Sequence, residues 1–273
     1  MLLTNACTAH SRRLRRSQVR VHARGVIFIW EIVVFTKKNF KEQRIELGRL
    51  RTKFQYETKY LVEYLSFTSD LTEKKNQQLS DQIFSDSESD PEAEAILQQL
   101  FEKEKDALLS YYHNSGIVLV YTVFESVLSD LCNEVKEFTG AGFSNNCLSG
   151  GNLIGKSKLY LELVSELPFD LIQGEWARIG QFQNLRNIIV HQNSCFVGSQ
   201  QSVDKQKHRV SNNFHAIKIS EVYQRFYILD DALVVEFVDL IKRFISKVID
   251  YLESVDFLIE HKESNVNLEC VPF

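Results

Sequence analysis

The densest group of chemically useful side chains in this sequence lies between residues 183 and 193. Arg186 is followed directly by Asn187, then by three β-branched apolar residues, and then by His191. An Arg guanidinium can hold a phosphate through two parallel hydrogen bonds, and a His side chain can move a proton near neutral pH. An Asn side chain can fix the orientation of either neighbour. The pattern therefore predicts a site for phosphate chemistry on one helix.

A helix turns by about 100° per residue, which divides this segment into two faces. One face is apolar and consists of Phe182, Leu185 and Ile189. The opposite face is polar and consists of Asn184, Asn187 and His191. Arg186 lies on the border. Amide and imidazole groups tolerate partial burial when they are hydrogen-bonded, so the polar face predicts a cleft or a partner surface. The spacing alone also allows an ordinary polar surface at a helix end.

A second candidate residue, Glu125, stands inside the segment 117–128, which is otherwise apolar on nearly all sides. A carboxylate in such surroundings is costly unless it is paired. Arg186 is the only cation beside an apolar helical face in the central segments, so we expect a Glu125–Arg186 ion pair. Such a pair could hold two helices in register, or it could orient Arg186 at a phosphate site.

The elements that must position these residues are helical. Only 3 Pro and 11 Gly occur among 273 residues, which favours long helices over a turn-rich β structure. We predict an all-α, up-and-down bundle of about five helices, with a possible small β-hairpin before the last helix. The expected helices cover residues 39–71, 91–137, 156–167, 175–193 and 230–260.

Local signals refine these boundaries. Asp90-Pro91-Glu92 is typical of a helix start, Gly116 is expected to break or kink the second helix, and Gly140 is expected to end it. Residues 74–90 and 194–213 lose the helical pattern and are expected to be polar connections. The predicted hairpin pairs residues 216–219 with 226–228.

Three regions follow from charge and periodicity: a leader (1–35), a helical domain (36–262) and a tail (263–273). Residues 1–25 contain six Arg and no acidic residue, so residues 26–273 have an excess of ten acidic residues over Lys and Arg. The leader could be a transit peptide, although a translation start placed too far upstream fits better. We expect its removal to leave folding and activity intact.

The composition also limits the classes of function. The acidic remainder does not predict a general nucleic-acid binder, so any RNA contact must be a local patch. Five scattered Cys without a Cys-x-x-Cys pair predict neither a zinc site nor a disulfide framework, and they favour a reducing, cytoplasmic environment. No run approaches the roughly 20 apolar residues of a membrane span. We therefore expect no metal, no cofactor and no membrane partner.

Two segments together resemble the HEPN superfamily. Arg186-Asn187-Ile188-Ile189-Val190-His191 is similar to that family's motif of an Arg and a His separated by four to six residues, with a polar residue directly after the Arg. Residues 121–128 resemble the preceding family helix, in which an aromatic residue and a Glu are frequent. By helix order, the resemblance covers roughly residues 40–260.

The resemblance implies a dimeric helical bundle whose two motif helices face one another and form a metal-independent ribonuclease site. Arg186, Asn187, His191 and Glu125 are the expected site residues, and RNA is the expected substrate. Many family members are prokaryotic toxins or antiviral effectors, often with an antitoxin of the nucleotidyltransferase type. The alternative is a non-catalytic helical module that binds a protein or nucleotide and keeps the Arg–His pair as an interface feature.

Overall fold

The structure of the protein is a computed structural model, which describes residues 14–23, 26–35, 40–85 and 91–260. The helices are α1 (Gly48–Ser85), α2 (Pro91–Thr139), α3 (Leu153–Ser165), α4 (Phe169–Gln192), α5 (Gln200–Asn213) and α6 (Ala232–Ser254). A 3-10 turn at Asn145–Cys147 lies between α2 and α3. The strands are β1 (Leu14–Ala23), β2 (Val26–Phe35), β3 (Phe40–Gln43), β4 (Ile217–Ser220), β5 (Arg225–Ile228) and β6 (Phe257–Glu260). The predicted all-α bundle, with a β4–β5 hairpin before the last helix, is confirmed.

The chain divides into two compact units, and the helices all belong to the unit Arg44–Phe257. In the other unit, β1 and β2 form an antiparallel hairpin, in which Leu14 pairs with Phe35 and Ala23 with Val26. β3 and β6 form a separate two-stranded sheet. The predicted fold does not include this hairpin, because residues 1–35 were interpreted as an Arg-rich leader outside the folded domain. Residues 1–13 and the tail 263–273 lie outside the described residues, and the effect of removing the leader stays a prediction.

Parts of the two predicted polar connections, residues 74–85 and 200–213, are helical. Helix α1 continues to Ser85, well past the point where its apolar stripe ends, because the added turns consist of good helix formers such as Lys, Gln and Glu. A hydrogen bond of 2.8 Å between the side chains of Gln77 and Asp81 supports this end of the helix. Within 194–213, residues 200–213 form α5, a polar helix that buries only Val203 and Val210.

Gly116 does not break α2, which runs without interruption from Pro91 to Thr139. A Cβ atom at this position would lie 3.2 Å from the Val234 side chain and 3.3 Å from that of Leu65. The glycine therefore permits the close approach of α1 and α6 to α2. Gly140 has a φ of +66° and ends the helix, in agreement with the prediction.

Helix α2 is the central element of the helical unit and packs against α1, α3, α4 and α6. Its segment Ala95–Thr139 is, among the described residues, the one helix long and apolar enough to cross a membrane by length and composition. The sequence predicts no such segment, because none of its uninterrupted apolar runs approaches the roughly 20 residues of a membrane span. Half of its most apolar window is buried inside the protein, as is typical of a core helix.

Candidate functional site

Helix α4 carries the Arg–His motif, and its apolar face packs against α2 and α6. Its buried residues are Ile172, Ile179, Phe182, Leu185 and Ile188. On the opposite side, Asn184 and His191 are exposed and Asn187 is half-buried. The predicted division into an apolar and a polar face is therefore present, except that Ile188 is buried more deeply than Ile189.

The guanidinium of Arg186 is half-buried and makes one hydrogen bond within the described residues. Its carbon Cζ lies 4.9 Å from the centre of the Tyr121 ring, and Nη1 donates a 3.2 Å hydrogen bond to Oδ1 of Asn187. Its Nε is buried and has no hydrogen-bond partner. Because a guanidinium has five N–H donors, Arg186 has donors left for an anion.

The expected Glu125–Arg186 ion pair is not formed: no carboxylate oxygen of Glu125 lies within 4 Å of the guanidinium. Arg186 instead packs on Tyr121, which precedes Glu125 by one turn of α2. Burial raises the pKa of Glu125, and the nearby positive charge of Arg186 partly opposes that rise. The two charges therefore interact through space without direct contact.

Tyr121 is the aromatic platform below Arg186. It is almost fully buried, and burial raises the pKa of its phenol to about 12, with the Glu125 carboxylate acting in the same direction. The phenol therefore remains neutral at physiological pH. An electron-rich aromatic face attracts a guanidinium without consuming its N–H donors, so this contact leaves them available.

His191 lies in the last turn of α4, and the backbone beyond it is firmly anchored. Asn193 and Ser194 adopt left-handed conformations with φ of 49° and 62°. The hydroxyl of fully buried Ser194 accepts a 2.9 Å hydrogen bond from Nδ2 of Asn114, and its carbonyl accepts a 3.0 Å bond from the Phe226 amide. The end of α4 is therefore fixed to both α2 and β5, while the His191 ring itself stays exposed.

Sequence reasoning missed a cluster of side chains at this same helix end. Nδ2 of Asn193 donates a 3.2 Å hydrogen bond to the Tyr111 hydroxyl, and Nη2 of Arg225 donates a 3.2 Å bond to the Asn193 carbonyl. Arg225 also lies over the Tyr227 ring at 5.2 Å, and its buried Nε has no partner. The hydrogen bond from Asn193, followed by Arg225, lowers the pKa of Tyr111.

Only one signal in the sequence could have revealed part of this cluster. Asn is favoured at the left-handed position that ends a helix, which marks Asn193 as a C-terminal cap. Arg225 and Tyr111 come from β5 and α2, and no periodicity in the sequence connects them.

The basic stretch that follows the motif also differs from the expectation. Lys205, Lys207, His208 and Arg209 lie on α5 rather than in a loop. Lys207 forms an ion pair with Glu221, which neutralises part of this patch. Among the described residues, no group of three or more His, Cys, Asp or Glu side chains could hold a metal ion.

Comparison of the chain with family models, with curated proteins and with solved structures gave no match. A half-buried guanidinium with unused donors and an exposed imidazole lie on one helix, five residues apart. The guanidinium can bind an anion, and the imidazole can exchange a proton.

Proposed function

We propose that the protein is a metal-independent endoribonuclease with a composite active site at a homodimer interface. The observation that carries the proposal is the state of Arg186: within the described residues its one hydrogen bond runs from Nη1 to the amide of Asn187, and no carboxylate takes its other terminal donors. The resemblance to the HEPN superfamily and the exposed His191 support the same conclusion.

The proposed reaction is an attack of the RNA 2′-OH on the adjacent phosphorus. One His191 takes the proton of the 2′-OH as the O2′–P bond forms. The bond from phosphorus to O5′ breaks, and the His191 of the second copy donates a proton to the leaving oxygen. The products are a 2′,3′-cyclic phosphate and a 5′-OH end. Arg186 stabilises the negative charge that develops on the phosphoryl oxygens.

The other site residues have supporting roles. Asn187 accepts a hydrogen bond from Arg186 and thereby orients the guanidinium. Glu125 acts through space, because its negative charge favours a position of Arg186 over Tyr121 without binding its donors. We further propose a cytoplasmic toxin or antiviral defence component with an antitoxin of the nucleotidyltransferase type, on the resemblance alone.

The decisive experiment compares the full chain with His191→Ala on a defined RNA. We expect cleavage by the parent protein in EDTA, with 2′,3′-cyclic phosphate ends, and a loss of about 10²–10⁴-fold in the variant. His208→Ala is the matched control, since His208 is an exposed His on α5, and it should cleave as the parent does. Parental cleavage by His191→Ala, or cleavage that stops on chelation, would show that the Arg–His pair is not a metal-independent catalytic site. Absence of cleavage by the parent protein would favour the non-catalytic helical module.

The composite site is tested by mixing the two proteins. If one His191 from each copy is needed, only dimers of two parent subunits are active. At equal amounts, activity should therefore fall to about a quarter of the parent value rather than about a half. Linear loss of activity, or a strictly monomeric mass by light scattering at micromolar concentration, would remove the composite site but leave cleavage itself open to the first test.

A further inference from the structure

A cavity of about 490 Å³ lies between the second half of α1, the first half of α2 and the start of α6. Its lining includes Glu73, Asn76, Phe101, Lys105, His113 and Asp230. A cavity of this size is in the range of small-molecule sites. None of these residues belongs to the proposed ribonuclease site, so the cavity is a separate feature of the helical unit.

Two polar side chains of the cavity are buried without hydrogen-bond partners. Asn76 is 8% exposed and His113 is 4% exposed, and neither Oδ1 of Asn76 nor Nδ1 of His113 has a partner among the described residues. Buried polar groups are normally bonded, because an unmet hydrogen bond destabilises the fold. Two such groups at one cavity indicate that a ligand completes them.

The chemistry of the two groups defines the ligand. Burial lowers the pKa of His113, so its imidazole is neutral at pH 7 and offers one donor and one acceptor. The side-chain amide of Asn76 also offers both. Oδ1 of Asn76 needs a donor from the ligand, and Nδ1 of His113 needs a donor or an acceptor according to the tautomer of the imidazole. The apolar side chains of Phe101, Leu109 and Leu229 supply walls suited to a flat ring.

The charge of the lining excludes phosphorylated ligands. Glu73, Asp230 and Asp231 carry carboxylates, and Lys105 is the one cation of the lining. One carboxylate oxygen of Asp230, Oδ1, already accepts a 3.0 Å hydrogen bond from the Ala232 amide. The remaining negative charge repels a phosphate and tolerates a neutral ring with amino groups.

We propose that this cavity binds an uncharged nucleobase or nucleoside through hydrogen bonds to Asn76 and His113. The phosphorylated form of the same compound is rejected by the surrounding carboxylates. Nucleoside binding gives the protein a second site, independent of the proposed RNA cleavage.

The test is calorimetric titration of the full chain with adenosine, guanosine, cytidine and uridine, and with their 5′-monophosphates. We expect at least one nucleoside to bind, and its monophosphate to bind at least about tenfold more weakly. Glu73 is exposed, so Glu73→Gln should leave the fold intact. This variant should bind the nucleoside and its monophosphate with more similar affinities. Absence of nucleoside binding at millimolar concentration, equal binding of the monophosphates, or binding of putrescine alone would each overturn the proposal.

A pair of matched variants distinguishes a ligand site from a structural amide. Asn76→Leu should abolish nucleoside binding and raise the Tm, because an unpartnered buried amide is replaced by an apolar side chain. Asn114→Leu is the contrast. Oδ1 of buried Asn114 also has no partner, but its Nδ2 donates a 2.9 Å hydrogen bond to Ser194 and the residue does not line the cavity, so this substitution should lower the Tm while nucleoside binding persists. If Asn76→Leu lowers the Tm as Asn114→Leu does and binding survives, Asn76 is structural and the proposal is wrong.

Discussion

Two arginines on α4, Arg178 and Arg186, differ in how their donors are used. Nε and Nη2 of Arg178 bond the two carboxylate oxygens of Glu236 at 2.6 and 2.9 Å, and Nη1 bonds the Asn213 carbonyl at 2.8 Å. Cζ of Arg178 also lies 5.0 Å from the centre of the Phe182 ring and 4.7 Å from that of the Phe214 ring. All three nitrogens of this guanidinium are hydrogen-bonded, so its role is to hold α4 against α6 and the end of α5.

Arg186 lies about two turns further along the same helix and makes far fewer contacts. Within the described part of the chain, it has one hydrogen bond of 3.2 Å, one aromatic ring below it and no carboxylate within 4 Å. A cation whose donors are all used stabilises a fold, whereas a cation with unused donors can bind an incoming anion. The difference indicates which arginine of α4 is suited to chemistry.

The largest expected difference between Arg186 and Arg178 is in their contribution to RNA cleavage. Arg186→Ala should lower the cleavage rate by about 10²–10³-fold, because it removes the donor that stabilises the phosphoryl oxygens in the transition state. Arg178→Ala should keep the parental rate when the assay temperature is well below its Tm. Gel analysis of cleavage under single-turnover conditions makes the measurement. Equal losses in both variants would show that Arg186 acts only through stability.

For the free energy of unfolding, we expect the opposite order, with a larger loss in Arg178→Ala than in Arg186→Ala. Arg178→Ala removes a bidentate pair with Glu236 and should cost about 1.5–3 kcal/mol. Arg186→Ala loses a cation–π contact and should cost about 0.5–1 kcal/mol. The ion pair expected from the sequence would have made the second loss about 3–5 kcal/mol, since Glu125 would have lost a direct partner. Urea unfolding of both variants, followed by circular dichroism, distinguishes the two values.

The elements could be predicted from the sequence because their signals are local. Pro91 starts α2, Gly140 ends it, and the apolar stripe of α4 repeats with the helical period. The carboxylate partners could not be predicted in the same way. Glu236 is 58 residues from Arg178, and which arginine it meets depends on how α6 packs against α4. The predicted ion pair between Glu125 and Arg186 is wrong. Elimination among the charged residues identified a cation near Glu125, but it did not predict that the two side chains would lack direct contact.

The missed residues of the candidate site have the same physical origin. Tyr111, Asn193 and Arg225 come from α2, the end of α4 and β5, and they meet only because Ser194 is bonded to Asn114 and Phe226. Helical periodicity predicts which face of an element is buried. It does not predict which polar groups of distant elements come together at the end of that face.

A smaller effect concerns the charge near Arg186. Burial raises the pKa of Glu125 above its ordinary value of 4.5, so the folded state favours the protonated carboxyl. The free energy of unfolding therefore falls as the pH rises from the pKa of Glu125 in the unfolded chain to its higher pKa in the folded protein. Below the pKa of the unfolded chain the effect disappears. Glu125→Gln should raise the Tm at pH 7 and leave it unchanged near pH 4. A lower Tm at pH 7 would indicate a direct ion pair with Arg186.

The smallest expected effect is at the end of α4. Asn193→Gly suits the left-handed φ of 49° and keeps the carbonyl that accepts from Arg225, but it removes the hydrogen bond to the Tyr111 hydroxyl. Glycine relieves backbone strain while an exposed hydrogen bond is lost, so the free energy of unfolding should change by less than about 0.5 kcal/mol. The pKa of Tyr111, which Asn193 lowers, should rise towards its ordinary value.

Ultraviolet titration of the tyrosines in the parent and in Asn193→Gly measures that rise. Tyr111→Phe is the control, because it removes the titrating hydroxyl. A large loss of stability would mean that the Asn193 side chain, rather than its backbone, holds the end of α4. His191 would then depend on the same contact as Tyr111, and RNA cleavage by Asn193→Gly should fall with it. If stability and cleavage are both retained, the anchor of His191 is the Ser194 backbone and hydroxyl, and the Tyr111 contact is peripheral.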